Sequence, residues 1–293
     1  MATLRDIKRR IVGVKNTQKI TRAMKMVSAA KLRRAQTRIV NARPYVNKIS
    51  EMLSNLATEE DMVTNPFFIE REAKNVVVVV VTADRGLCGA FNNNIIKEAA
   101  KYIDEELSAE GINAFVYCVG KKSADYFSRR NYNVLEKEIG LFSSLDYSSA
   151  LKITDNLVPE FSKETYDKVV IIYNEFISMI RQKIQVQQFL PVPVLSSAEE
   201  KQVQHPNYIF EPDLGSIFNF LIPKHLKAQV WRSLLESNAA ELGARMTAMD
   251  NATTNAQEMI RSLNLTYNKE RQAAITKEIL EIVSGANALK ASS

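Results

Sequence analysis

Apolar positions near the start of the chain repeat at helical spacing. Leu4, Ile7, Ile11 and Val14 stand 3, 4 and 3 residues apart, the heptad spacing of a coiled-coil seam. The stripe then shifts to Ile20, Met24 and Val27, and again to Leu32, Ala35 and Ile39. This pattern predicts one long helix whose seam drifts. Pro44 is expected to kink or end it, because proline removes a helical hydrogen bond and crowds the turn behind it. Weaker helical patterning continues through Ile49, Leu53 and Leu56. Residues 1–57 therefore form a first helical unit.

The period changes in the middle of the chain. Residues 57–74 are polar and read as a linker. Val76–Val81 is a run of six valines, which suggests a strand buried on both faces, as in a parallel sheet. A helix is expected at about 92–110, a second apolar strand at Ala114–Val119 and a helix at about 121–130. A short strand near Val134–Leu135, a helix near 147–163 and a strand at Val169–Tyr173 follow. Ile184-Gln185-Val186-Gln187 alternates apolar with polar, the mark of an edge strand. Alternating strands and helices imply an α/β domain over residues 75–195. Residues 196–213 read as a polar loop.

The third unit, residues 214–289, is again helical. Pro223 is expected in its first turn, where proline is tolerated. The seam Leu242, Met246, Met249, Thr253, Ala256, Ile260, Leu263, Tyr267 alternates spacings of 4 and 3 without a slip. Such a helix cannot bury its stripe on a small domain and needs a second long helix. The N-terminal helix of the same chain supplies one, in antiparallel pairing if both emerge from one side of the domain; a homodimeric coiled coil is the rival arrangement. The expected fold class is α/β: a long antiparallel coiled coil of the N- and C-terminal helices, plus a Rossmann-like α/β central domain.

Charge sharpens this picture. Residues 1–43 hold 13 Lys or Arg against the single acid Asp6, a net +12. The whole chain of 293 residues is +6, so the remainder carries −6. A segment so basic expects an acidic partner: nucleic acid, anionic lipid or an acidic protein surface. No stretch approaches the ~20 apolar residues of a membrane span. The start lacks the apolar core of a secretory signal, although its basic, acid-poor character leaves an organellar presequence open.

Candidate chemistry is sparse. Cys88 and Cys118 belong to no CxxC pair, and His205 and His225 are the only histidines. No cluster has metal-ligand spacing, and both cysteines are expected to be buried apolar residues in a reducing compartment. Asp84-Arg85-Gly86-Leu87-Cys88-Gly89 follows the first strand, where a dinucleotide loop would sit. It lacks both the GxGxxG and the GxxxxGK[ST] pattern, so a tight glycine turn is the expectation. No nucleophile–base set is present. The basic helix has no aromatic residue before residue 44, hence no stacking platform for single-stranded nucleic acid. After Glu281 the chain runs Ile282-Val283-Ser284-Gly285-Ala286-Asn287-Ala288-Leu289 without charge, which suggests insertion into an apolar socket; a disordered tail is the alternative.

Three stretches carry a family resemblance. They are Gln18-Lys19-Ile20-Thr21-Arg22-Ala23-Met24-Lys25-Met26-Val27, Asp84–Asn92, and the segment from Ala244-Arg245-Met246 to Glu281-Ile282-Val283-Ser284-Gly285-Ala286. With the rest of the chain in order between them, they resemble the gamma subunit of F-type ATP synthase. The resemblance implies a central-stalk rotor that couples rotation of a membrane c-ring to conformational change at catalytic beta subunits. It implies no catalytic residue, cofactor or metal in this chain. Implied partners are the alpha and beta subunits of a catalytic hexamer, an epsilon subunit and the c-ring, with no nucleic acid and no membrane span of its own. The implied location is the cytoplasmic face of a bacterial plasma membrane, held peripherally, and a presequence becomes unexpected.

Carried over residue by residue, Met24, Lys25, Arg271, Gln272 and Thr276 match positions that contact beta. Ile282, Val283, Ala286 and Leu289 match the bearing tip. Tyr208, Phe210 and Glu211 match the foot beside the c-ring. Ala90 departs from the family pattern, which often has a second glycine there. Two readings of other classes stand beside this one: a nucleic-acid-binding coiled coil, and a dinucleotide-dependent enzyme built on the α/β domain.

Overall fold

A computed structural model of the chain describes residues 3–56, 65–179, 181–193, 211 and 213–291, except the side chains of residues 214 and 288–291. The chain divides into two compact units. Residues 1–27 and 246–293 form one, and residues 28–245 the other. Helix α1 spans Leu4–Leu56 and helix α5 spans Leu214–Ala291. Each contributes to both units.

In the first unit the two helices pair in antiparallel sense. The Thr21 and Thr253 hydroxyls are 2.8 Å apart, and Lys25 Nζ lies 2.6 Å from Asp250 Oδ1. Moving up α1 therefore means moving down α5. Helix α1 opens with a capping box: Asp6 N donates to Thr3 Oγ1 while Thr3 N donates to Asp6 Oδ2.

The expected drift of the α1 seam does not occur. Positions 7, 11, 14, 18, 21, 25 and 28 continue without a slip through 32, 35, 39, 42, 46, 49, 53 and 56, and every one is buried or half-buried. Thr21 and Ser28 take seam places and are 8% and 3% exposed, whereas Ile20 and Val27 are 60% and 56% exposed. Small hydroxyl residues fit a close helix–helix contact, where of the Thr21 and Thr253 hydroxyls one can donate across the pair while the other donates to its own helix. Thr21 Oγ1 reaches Gln18 O, and Thr253 Oγ1 reaches Met249 O.

Pro44 does not end its helix, and Pro223 is not in the first turn of its own. Helix α1 runs on through Pro44, and Pro223 stands well inside α5, whose cap is Asp213. Each proline and the residue four before it, Val40 or Asn219, is exposed. Water can therefore serve the carbonyl that loses its helical donor.

The second unit is built on a five-stranded sheet of order β3-β2-β1-β4-β5. The strands are β1 (Asn75–Val81), β2 (Asn113–Val119), β3 (Asn133–Glu138), β4 (Lys168–Phe176) and β5 (Gln182–Leu190). The first four are parallel, and β5 is the antiparallel edge. Helices α2 (Phe91–Lys101, prolonged by a π-turn at Tyr102–Leu107), α3 (Lys121–Arg129) and α4 (Tyr147–Ser162) connect them. One face of β1, Val76, Val78 and Val80, packs with Ile95, Ala99, Ile103 and Phe127. The alternate valines are equally buried. On their side Tyr117 OH accepts from Asn156 Nδ2 of α4, and Ser237 Oγ of α5 reaches Val81 O. A strand covered on both faces has no use for a polar alternation, which is why the valine run is unbroken.

Two buried ionisable groups lie between α1 and α5 within this unit. Glu236 is fully buried and is held by Arg43 Nε and Nη2 at 3.0 and 2.9 Å, while its other oxygen accepts from Phe176 N at 3.1 Å. His225 is a buried residue inside α5, with Nδ1 3.4 Å from Ser50 Oγ. Burial pushes its pKa down from 6.5 to about 4. The unfolded chain therefore takes up a proton first as pH falls. The stability held by neutral His225 is whole above about pH 6.5 and drains away between there and about pH 4, to a total of about 3 kcal/mol. Denaturant titrations at pH 7 and pH 4.5 should show a smaller acid loss for His225→Leu than for the parent chain; equal losses would exclude His225 as the cause.

Candidate functional site

Among the described residues, the end of α5 in the first unit has no opposing helix. Thr21 faces Thr253 and Lys25 faces Asp250, so residue-for-residue pairing brings Leu4 opposite the region of Glu270. Burial follows this geometry. Met249 and Ala256 are buried, Ile260, Leu263, Tyr267, Glu270 and Ala274 are half-buried, and every described side chain from 275 to 287 is exposed. Ile275, Ile279, Ile282 and Val283 are between 48% and 71% exposed. Their spacing places them on one face of the helix, where they continue an apolar stripe that no described residue of this chain covers. Arg271, Gln272, Thr276 and Ala286 are also exposed.

The other sequence-derived positions fall out differently. Met24 and Lys25 are half-buried, and the Lys25 ammonium is paired with Asp250. Glu211 is exposed. Tyr208 and Phe210 lie outside the described residues, as do His205 and the side chain of Leu289. The structure thus gathers Arg271, Gln272, Thr276, Ile282, Val283 and Ala286 on one unaccompanied helix end. Met24 and Lys25 lie at the paired part of the same unit. Among the described residues no group of acids, histidines and cysteines is arranged to hold a metal ion.

Sequence reasoning missed the exposed apolar positions of α1. Ile20, Met26 and Val27 are 56–60% exposed, beside the solvent-facing Lys19, Arg22 and Lys31. The apparent drift of the seam was their signal. An apolar residue off a regular heptad marks a second surface rather than a shifted one.

In the second unit, the loop after β1 is tied down by its own chain. Asp84 Oδ1 accepts from Lys121 N and Gly140 N at 3.1 and 2.9 Å, and Ser123 N donates to Thr82 Oγ1 at 2.9 Å. The first amides of α3, which would otherwise be open to an anion, are thus bonded to the β1 loop. Asn92 Oδ1 accepts from Ala83 N at 2.9 Å, and its Nδ2 donates to Cys88 Sγ at 3.0 Å. Arg245 reaches the same loop from α5. The crevice at the carboxyl ends of the strands, where open α/β sheets bind ligands, is lined by Thr82, Ala83, Phe91, Phe142, Ser237 and Glu241, and it has no room for a water molecule. Both cysteines are buried. Burial pushes the Cys88 thiol up, with Arg245 opposing it, and lifts Cys118 to about 11.

Comparison with known proteins agrees in one direction. Residues 3–289 match the family model described as ATP synthase. The ATP synthase gamma chain of Chlorobaculum parvum is 50% identical over 293 residues, covering 99% of this chain and 100% of the relative. That of Chloroherpeton thalassium is 49% identical over 304 residues, covering all of both chains. Among solved structures, a chain of the Tetrahymena thermophila mitochondrial ATP synthase central stalk and c-ring aligns with TM-score 0.60 and 25% identity, over 80% of this chain and 99% of that one. A chain of the Euglena gracilis mitochondrial ATP synthase F1/c-ring assembly aligns with TM-score 0.70 and 20% identity, over 99% of this chain and 95% of that one.

Proposed function

The chain belongs to the ATP synthase gamma family, and from that premise we propose that it is the central-stalk rotor of a proton-translocating F-type ATP synthase. It couples rotation of the c-ring to conformational change at catalytic beta subunits, and it carries no catalytic residue itself. The observation that carries this reading is the unaccompanied end of α5. A helix that leaves Ile275, Ile279, Ile282 and Val283 in water forgoes about 25 cal/mol for each Å² of apolar surface a partner would cover. A socket formed by alpha and beta subunits supplies that cover.

The paired region offers a complementary contact. Helix α1 presents Ile20, Met26 and Val27 among lysines and arginines, a surface suited to an apolar and acidic loop of beta. Arg271, Gln272 and Thr276, on the outside of α5, are placed to meet beta as well. Because α5 outruns α1, the first unit has no two-fold or three-fold likeness about its helix axis. A three-fold set of partners therefore meets a different face at each position. That difference is what lets one turning shaft hold three catalytic sites in three states.

Glu211 and the neighbouring Tyr208 and Phe210 are assigned to the foot, against the c-ring, with an epsilon subunit alongside. No helix among the described residues is long and apolar enough to cross a membrane. Attachment to the cytoplasmic face of a bacterial plasma membrane would then come through the c-ring.

Assembly tests the reading directly. Mixing the chain with alpha and beta subunits should yield a stable complex whose ATP hydrolysis depends on its presence. A chain that stays apart and instead binds DNA with steep salt dependence would reverse the assignment. Within the complex, Arg271→Ala should lower turnover or coupling while the isolated chain melts as before, since Arg271 is exposed. Unchanged rates would remove Arg271 from the contact.

A further inference from the structure

Arg245 links two stretches of chain far apart in sequence. It stands on α5 within the second unit. Its Nη1 donates to Gly86 O at 2.5 Å and its Nη2 to Arg85 O at 3.3 Å. The opposite edge of the guanidinium grips Glu241, one turn earlier on the same helix, through Nε at 2.8 Å and also through Nη2. Each of the two side chains is only 12% exposed. Glu241 thus sets the direction of the fork, and the fork holds the loop by two carbonyl oxygens.

The loop needs such a hold. Leu87 sits at φ 66 and Gly89 at φ 60. A left-handed conformation costs a side-chain-bearing residue free energy that its surroundings must repay. Leu87 repays none of it by burial, being 67% exposed. The restraint comes from Asn92 on one side and Arg245 on the other.

We propose that Arg245 is a positioning residue, a latch that fixes the Arg85–Ala90 loop on α5 and so sets how the loop and its exposed Leu87 are presented to the subunits around the rotor. The coupling consequence rests on the rotor reading, whereas the latch itself does not. Lysine would keep the charge but cannot span two carbonyls and a carboxylate as a planar fork does, so Arg245→Lys and Arg245→Met should both release the loop.

The chain carries its own reporters. Cys88 lies in the latched loop and is 1% exposed; Cys118 lies in β2 and is 0% exposed. In the full chain, maleimide labelling of each cysteine is followed by peptide mass spectrometry, with Leu234→Ala, a buried α5 position away from the loop, as the control for general loosening. Arg245→Met should label Cys88 at least about tenfold faster with Cys118 unchanged, while Leu234→Ala should raise both together. Cys88 labelling at the parent rate, or a parallel rise at both cysteines, would overturn the latch. In the complex reconstituted with its membrane sector, Arg245→Met should pump fewer protons per ATP hydrolysed than the parent. Faster Cys88 labelling with unchanged pumping would overturn the positioning role, and failure of the parent chain to assemble would count against the rotor reading alone.

Discussion

Replacing Arg43 by methionine is expected to cost the folded chain about 3–5 kcal/mol, the usual penalty for stranding a buried charge. Glu236 is fully buried, and two of its short contacts come from the Arg43 guanidinium. The third is the Phe176 amide, whose own carbonyl also accepts from Arg43 Nη2 at 3.3 Å. Arg232 Nε forms a longer ion pair with Glu236 at 3.9 Å, too far for a hydrogen bond, and has no hydrogen-bond partner. Removing Arg43 therefore leaves a carboxylate with one amide and a distant guanidinium. Chemical denaturation at neutral pH reads the loss. The double variant Arg43→Met, Glu236→Met should recover part of it, since no buried carboxylate is then stranded, though the Phe176 amide stays unpaired and Arg232 loses its carboxylate. A loss below about 1 kcal/mol would show that Arg232 moves in and serves Glu236 alone.

Gly120→Ala is expected to be more damaging still. Gly120 has φ +94, and a Cβ there would lie 2.1 Å from Thr82 O. The backbone cannot yield easily. Gly120 N donates to Glu138 O, Thr82 N donates to Val119 O, and Ser123 N holds Thr82 Oγ1. Steric overlap and a left-handed backbone together should exceed about 4 kcal/mol, in the range reserved for a named structural violation. Loss of soluble folded chain, or a fall in melting temperature of well over about 8 °C, is the expected result. Gly13→Ala is the matching control. Gly13 lies within α1, nothing lies within 4 Å of its added Cβ, and the exchange should be neutral or raise stability by up to about 1 kcal/mol. Similar outcomes for the two variants would mean that the β1 loop is not packed against Gly120.

Much of the fold is legible in residue order because burial writes its own period. Six valines in a row announce a strand covered on both faces, and Ile184 to Gln187 announce an edge; β1 and β5 are those strands. The α5 seam from Leu242 to Tyr267 keeps its spacing to the last residue, and the paired helices are antiparallel. The α1 seam is harder to read for a physical reason. Hydrophobicity records every surface a residue will bury, including surfaces offered to other chains. Ile20 and Val27 look like seam residues and are exposed, whereas Thr21 and Ser28 look exposed and are buried. The candidate contact surface was legible as residue types at the uncharged tip, but not as geometry.

The sequence by itself determined the element types, the two long helices, the parallel sheet and the family, since each rests on local periodicity or on motifs read in order. Only the tertiary structure decided that the α1 seam is continuous, that α5 outruns its partner helix, and that Arg43 meets Glu236 and Arg245 meets the Gly86 carbonyl. Those contacts join residues more than 150 positions apart, where no spacing rule reaches. They depend on which side chains the packed backbone brings within about 3 Å of one another, and a single chain's order does not state that distance.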